Sequence, residues 1–351
     1  MFCIYLVILN SSADVRLPTK IYSINGSITS ISGSDEYIVI GSDNSFVYLF
    51  DKEGNLLWRY MLSDRITSVD IYNNVIAVTT IDRVLYLFNV SGDMEWYSEI
   101  ESYPEYKKGL YIFRDMIVIG TRSGYVHFFQ KTHEKWNYKT DVYVLQVSIN
   151  KNGKTITAVS DKKVYVFDIY GRLLLNKSFP SYIRSAAISD DYIAVGLGNN
   201  ELYLIDNDGD LLWRNSLPDQ IGVIGVSDYI ACGLRDGYVH IFDINGRYIN
   251  KFKLNGPVIS LSTLTNRLIV GTLNDRLYLI NPYKGIKWDY KTRGHILSSY
   301  ISRSYVVGGS VLGDIYYLRM FEGTEKSKIV TAFVIVSISI ATMVLILSLR
   351  Y

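Results

Sequence analysis

Asp206, Asp208 and Asp210 set three carboxylates at alternate positions around Gly209. That is how a short loop begins to wrap a calcium ion. A helix–loop–helix calcium site, however, needs its glycine sixth and an acidic residue at the far end. Here the glycine comes fourth, and residues 213–217 supply no acid. Asp, Asn and Gly are also the residues of tight turns, and the same segment recurs as a turn elsewhere in the chain, so a hairpin is expected. The other chemistry-bearing residues are scattered. His127 and His240 occupy a position that is tyrosine in most copies of a repeat, while His133 falls in a turn and His295 near the start of a strand. No serine or cysteine recurs beside them as a nucleophile would beside its base. Cys3 and Cys232 have neither disulfide nor metal-ligand spacing, and Cys232, inside the apolar run 229–233, reads as a small buried hydrophobe. The expectation is therefore no catalytic, cofactor-binding or metal-ligating residue, and no cofactor.

The elements that carry these residues repeat. An apolar run, a small residue, a polar turn and an aromatic-aliphatic run return eight times, with the second run marked by Tyr48, Tyr86, His127, Tyr165, Tyr203, His240, Tyr278 and Tyr316. The intervals are 38, 41, 38, 38, 37, 38 and 38 residues. A fixed period in this range specifies a repeat architecture. Within one copy, residues 66–71, 75–79, 84–88 and 94–97 are β-branched and aromatic, with Asn, Asp and Gly between them. Four strands in such a period make one blade of a propeller. The runs are apolar on both faces, as required of a sheet sandwiched between two others.

The fold class expected is all-β: an eight-bladed β-propeller with four-stranded antiparallel blades. Gly54, Gly92, Gly171, Gly209, Gly246 and Gly285 follow the third runs and are expected to supply positive φ in hairpins. Ser30, Ser68, Gly109, Ala186, Ser260 and Ser298 lie in the first runs, where small side chains would line a bland central channel. The eighth copy lacks its fourth strand; residues 15–22 stand where a fourth strand stands before copy two, and are expected to close the ring and remove its open edges. The longest departure from the period is three extra residues around 103–108, a solvated connection or a partner contact.

Residues 329–349 contain no charge, Gly or Pro. As a helix they would span roughly 31 Å, the thickness of a bilayer's hydrocarbon core. A transmembrane helix with ends at Ile329 and Leu349 is expected, making the lipid bilayer a partner. Residues 2–9 are apolar and precede small residues at Ser11 and Ala13, the pattern of a signal peptide over 1–13. The domain reading is thus 1–13 signal peptide, 14–321 propeller, 322–328 linker, 329–349 transmembrane helix and 350–351 tail. The signal places the propeller outside the cytoplasm in a single-pass membrane protein. Lys326 and Lys328 before the anchor favour the alternative, a cytoplasmic tail-anchored form. A net charge of +2 offers no electrostatic case for nucleic acid.

Residues 51–58 (DKEGNLLW) and 206–213 (DNDGDLLW) are near copies, and weaker ones end at Trp96, Trp136 and Trp288. A glycine hairpin followed by Trp58, Trp96, Trp136, Trp213 or Trp288 in a fourth strand resembles the pyrroloquinoline-quinone (PQQ)-like propeller repeat. Leu175 and Phe252 lie near the tryptophan's place in two copies that lack it. The resemblance covers about residues 15–320. It implies either a quinone- and calcium-dependent dehydrogenase or a non-catalytic scaffold, since the family holds both. The family's dehydrogenases use long loops, acidic ligands and, in many cases, adjacent cysteines; this chain has no adjacent cysteines, and its even period leaves no room for large insertions. The reading is a membrane-anchored scaffold that binds a protein on one propeller face, without catalysis. A PQQ-dependent oxidoreductase and a glycan-binding module are the alternatives.

Overall fold

The computed structural model describes residues 19–105 and 108–320. They form eight four-stranded antiparallel sheets. Seven are continuous in sequence, spanning residues 28–61, 66–99, 110–139, 144–178, 183–216, 221–253 and 258–291. The eighth takes three strands from residues 296–319 and its outer strand, Lys20–Ser23, from the other end of the chain, in the order expected from the incomplete last copy. Residues 15–18 of the proposed closing segment lie outside the described residues. In each blade the first strand is innermost, and the inner strands of successive blades contact one another around the ring, including the first and the eighth.

Burial follows radius. Second strands such as Tyr37–Ser42 and third strands such as Phe46–Asp51 are buried along nearly their whole length. Both of their faces meet neighbouring blades, which is why these runs read as unbroken apolar sequence. Outer strands such as Leu56–Met61 form the solvated rim and are mostly exposed. Every repeat marker sits in a third strand, including His127 and His240. His133, expected in a turn, begins the outer strand His133–Lys139, because the preceding hairpin is one residue tighter than in the other blades. The six hairpin glycines have φ between +75° and +107°, a region closed to most side chains.

The blade connections define two faces. Links from each outer strand to the next inner strand lie on the same face as the second-to-third strand turns. The third-to-outer hairpins lie on the opposite face. The last described residue, Met320, follows Asp314–Arg319, a third strand, so the chain leaves the propeller on the hairpin face. Thr19 lies beside it, its Oγ1 accepting the Arg319 amide at 3.0 Å.

Candidate functional site

At the rim, tryptophans weld blade to blade. Trp58, Trp136 and Trp213 donate their indole N–H to Val90, Ile169 and Ile244 at 2.9, 3.1 and 2.9 Å, each two residues before the hairpin glycine of the following blade. The glycines are needed for this: a β-carbon on Gly92, Gly171 or Gly246 would stand 3.2, 2.8 or 2.7 Å from the ring. Leu175 takes the indole's place against Gly209. Phe252 does not take it in the sixth blade. The residue in register there is Asn250, opposite Ile241, and nothing lies within 4 Å of a β-carbon on Gly285 in the next blade. Trp96 meets no hairpin glycine, since the third blade turns at Lys131 with φ of 54° instead; its ring packs edge-on to Phe129. Trp288 is buried, and its indole nitrogen has no acceptor among the described residues, because the eighth blade has no third-to-outer hairpin to provide one. These five residues are distributed around the rim and are not brought together. Ile329 and Leu349 lie outside the described residues.

The Asp206–Asp210 segment is a hairpin. Asp206 Oδ1 accepts the amides of Asp208 and Asp210 at 3.1 and 2.8 Å, which ties that carboxylate to its own turn. His127 is buried, with Nδ1 2.9 Å from Glu134 Oε1. His240 packs edge-on to Tyr248, and burial lowers its pKa. His295, in a connection, meets Asp275 at 2.7 Å. Cys232 is buried among apolar residues, which pushes its thiol pKa up.

The axis departs from the bland lining expected. Ser30, Ser68, Ala186 and Ser260 are buried rather than open to a channel surface. The pairing register slips by one residue at the start of these strands, between Ile28 and Ser30, Ile66 and Ser68, and Val258 and Ser260. Such a bulge re-aims the residue that follows it. The serines join the blades instead. Ser298, Ser30 and Ser185 accept the amides of Ile31, Val69 and Ile224, one blade on, at 3.1, 3.3 and 3.1 Å. Gly109 precedes its inner strand, and the Glu105 carbonyl lies over it.

Ser32, Asp70, Tyr111 and Tyr300 lie on inner strands around the axis. They form part of a hydrogen-bonded belt: Tyr300 donates to the Gly33 carbonyl at 2.7 Å, Ser32 to Asp70 Oδ1 at 2.5 Å, and the Ile112 amide to Asp70 Oδ2 at 2.9 Å. Beside the belt is a cavity of about 170 Å³ between the inner strands of blades one to four, lined in part by Ser32, Asp70, Lys108, Tyr111 and Gln146. Asp70 keeps a little accessible surface within the channel but is surrounded by protein. Desolvation raises its pKa to about 6, against the opposing effect of the Ser32 and Ile112 hydrogen bonds. Burial, and next the Asp70 charge, push Tyr111 to about 12. Gln146 Oε1 is buried without a hydrogen-bond partner. Lys108 runs past the cavity to the Ala186 carbonyl at 3.0 Å.

The face on which the inner strands begin carries exposed apolar side chains. The connections between blades two and three, three and four, and four and five hold Tyr103, Val142, Tyr143 and Tyr182, which are 52, 42, 38 and 42% exposed. Leu273 and Leu312 are exposed in turns on the same face. The tyrosines are fixed in place. The Arg83 guanidinium lies 5.6 Å from the Tyr103 ring centre, Tyr143 donates to Asp161 at 3.2 Å, and Tyr182 lies on Gly198, where a β-carbon would come within 2.3 Å of its ring. The longer connection between blades two and three is not merely solvated. Tyr103 and Glu105 bond to the adjacent turn through Arg122 N–Tyr103 O and Glu105 N–Gly120 O, each 2.9 Å, and Ser68 donates to the Glu105 carbonyl at 3.1 Å. Of these axial and facial residues, the sequence points only to the 103–108 connection, as a solvated link or a partner contact. The available signal was Asp70, the one acid in the inner strand Ile66–Tyr72.

No protein-family model and no curated protein matches the chain. Solved structures share its fold. The computationally designed protein Ika8 superposes with a TM-score of 0.77 at 16% identity, covering 88% of this chain and 99% of that one. BamB from Moraxella catarrhalis gives 0.73 at 16% identity, over 86% and 99%. Sqt1 from Chaetomium thermophilum, in a structure bound to the N-terminus of ribosomal protein L10, gives 0.75 at 13%, over 86% and 99%. At these identities the likeness is one of fold.

Proposed function

We propose that this chain is a membrane-tethered, non-catalytic β-propeller that binds another protein on the face carrying Tyr103, Val142, Tyr143 and Tyr182. The observation that carries the reading is this arc of exposed side chains on adjacent connections, its tyrosines held in place by neighbours. Rigid exposed aromatics grouped on one surface are what a protein interface is built from. Sqt1, of like fold, has a structure with a bound protein segment, which supports the reading by analogy.

The tether is the apolar segment 329–349. Among the described residues no helix is long and apolar enough to cross a membrane, and this segment lies outside them. Met320 leaves the propeller on the hairpin face, so an anchor nine residues further on would turn the tyrosine face away from the bilayer. The signal-like segment 1–13, also outside the described residues, puts the propeller on the extracytoplasmic side.

A quinone-dependent oxidoreductase fits the axis poorly. Calcium takes six to eight oxygen ligands, whereas Asp70 is the cavity's carboxylate and both its oxygens already accept hydrogen bonds. A glycan-binding module draws on the same exposed tyrosines, which could stack on sugar rings.

Photo-crosslinking tests the reading. A benzoylphenylalanine in place of Tyr143 or Tyr182, in intact cells, is expected to give one discrete protein adduct that the same residue at Tyr170, on the opposite face, does not. Adducts from position 170 alone, or from none of the three, would sink it; glycan adducts would favour the sugar-binding alternative.

A further inference from the structure

The chain leaves the propeller through a basic sector of the hairpin face. Met320, the last described residue, donates its amide to the Ser304 carbonyl at 2.7 Å and packs against the cluster that holds Trp288 of blade seven. Arg303 precedes Ser304, and its carbonyl accepts from the Arg267 guanidinium at 3.2 Å. Lys284 and Lys287 flank Ile286, in the hairpin and the outer strand of blade seven. Arg303, Lys284 and Lys287 are exposed and Arg267 is half-buried. Among the described residues none of the four makes an ion pair. The hairpin-face connections of blades seven and eight, residues 264–267, 281–285 and 301–305, contain no Asp or Glu. The acids nearest the sector are already engaged or lie at its border: Asp289 pairs with Arg276 and Glu36 with Lys52, while Asp35 stands in blade one. Blade five is the reverse, with acids and no base in the matching residues 188–192 and 206–210. Among the cations, Tyr283 and Ile286 are 54 and 44% exposed. The Tyr283 ring is steadied on one side by Tyr229, edge-on at 6.4 Å.

Lysine and arginine around an exposed aromatic and an exposed aliphatic side chain make a surface suited to the headgroup level of a bilayer. The apolar segment 329–349 begins nine residues beyond Met320. At most about 30 Å of chain therefore separates this sector from the membrane. We propose that the blade-seven and blade-eight edge of the hairpin face rests on an anionic phospholipid surface, with Arg267, Lys284, Lys287 and Arg303 over lipid phosphates and Tyr283 and Ile286 among the headgroups. Basic residues close to an anionic leaflet are attracted to it. The tether makes that contact intramolecular, so even a weak patch is occupied. This rests on the tether reading above and adds to it how the ring is held: one edge lies on the lipid, and the tyrosine face stays open.

The test uses the full chain with Cys3→Ser, reconstituted in nanodiscs of phosphatidylcholine alone or with roughly a third phosphatidylglycerol. A nitrobenzoxadiazole label at Ile286→Cys is expected to brighten, and to be quenched by doxyl-labelled lipid, in the anionic discs and not in the neutral ones. The same label at Tyr182→Cys, on the opposite face, should respond in neither. Arg303→Glu with Lys284→Glu, both on exposed turns, should cut the Ile286→Cys signal at least about fivefold, with circular dichroism checking the fold. No quenching in anionic discs overturns the proposal. So does equal quenching at Tyr182→Cys, or quenching that survives the charge reversal. Loss of the signal to inorganic phosphate or to single-stranded RNA, at an ionic strength where sodium chloride has no effect, also overturns it and assigns the sector to that anion. Flotation of the full chain with neutral vesicles reads the tether separately. If the chain floats but the label stays dark, the tether stands and the lipid sector falls; if it does not float, both fall.

Discussion

The indole of Trp213 is seated on Gly246 of the next blade, its N–H donating to Ile244 at 2.9 Å and its ring 2.7 Å from where a β-carbon would stand. Gly246→Ala should therefore cost stability twice, through a φ of 80° and through displacement of the ring. Gly285→Ala, with φ of 107° and no neighbour within 4 Å, suffers only the first. Urea unfolding should show Gly246→Ala about 1–3 kcal/mol less stable than wild type, and at least ~1 kcal/mol worse than Gly285→Ala. Equal losses would show that the ring contact contributes nothing.

Asp70 should make stability depend on pH. Its pKa rises from 3.8 to about 6 on folding, so between those values the folded chain holds a proton that the unfolded chain has released. Stability from this group is present below about pH 4, declines as pH rises through 4–6, and stays lowered above. Tyr111 and Tyr300, which face it, remain neutral throughout, since burial raises both. Asp70→Asn should flatten the slope and gain roughly 1–2 kcal/mol at pH 8, after discounting for water in the channel. A loss of stability at pH 8 in denaturant titrations would contradict this.

The seam between the chain's two ends should be a weak point. Asp314 is fully buried and accepts from Ser23 of the closing strand at 2.5 Å and from Tyr316 at 3.2 Å. Tyr22 donates to the Gly54 carbonyl of blade one at 2.7 Å. Asp314→Ala should cost about 2–4 kcal/mol and Tyr22→Phe about 1 kcal/mol. Hydrogen exchange should show the lost protection concentrated in Lys20–Ser23 and Asp314–Arg319; uniform loss around the ring would mean that the seam is no weaker than the other blade junctions.

Cys232 should resist alkylation. It is fully buried and its thiol pKa is pushed up by desolvation, so both access and thiolate are lacking. In a Cys3→Ser background, iodoacetamide should label it only at denaturant concentrations that unfold the propeller. Labelling of the native protein within minutes would contradict the burial.

The tyrosine face should be separable from the fold. Tyr143→Ala and Tyr182→Ala lie on exposed connections and should each change stability by less than about 1 kcal/mol, while removing the adduct formed by a crosslinker at the other position. A large stability loss would reassign these rings to structure.

The tryptophan dockings show which part of the fold was legible in sequence. Trp213 and Gly246 each recur at the repeat period, so the blade, the hairpin and the missing eighth outer strand could all be read by counting. Asn250 could not. The sixth outer strand has no indole, and only the pairing of Asn250 with Ile241 shows which residue replaces it. Ser30 and Ser68 were legible as small inner-strand residues, but the register slip that turns them between blades leaves no mark in the sequence.

By itself the sequence determined the all-β propeller, its eight blades and the closing strand, because each depends on hydrophobic period and turn chemistry, which are local and repeated eight times. The tertiary structure alone decided the axis and the face. Ser32, Asp70 and the Ile112 amide belong to three different copies of the repeat and meet only because closure brings successive inner strands together. Tyr103, Tyr143 and Tyr182 likewise belong to three connections of unlike sequence, and they share a surface because every such connection emerges on the same side of the ring. A periodic pattern encodes what each copy does alike; the cavity and the tyrosine arc arise where the copies differ.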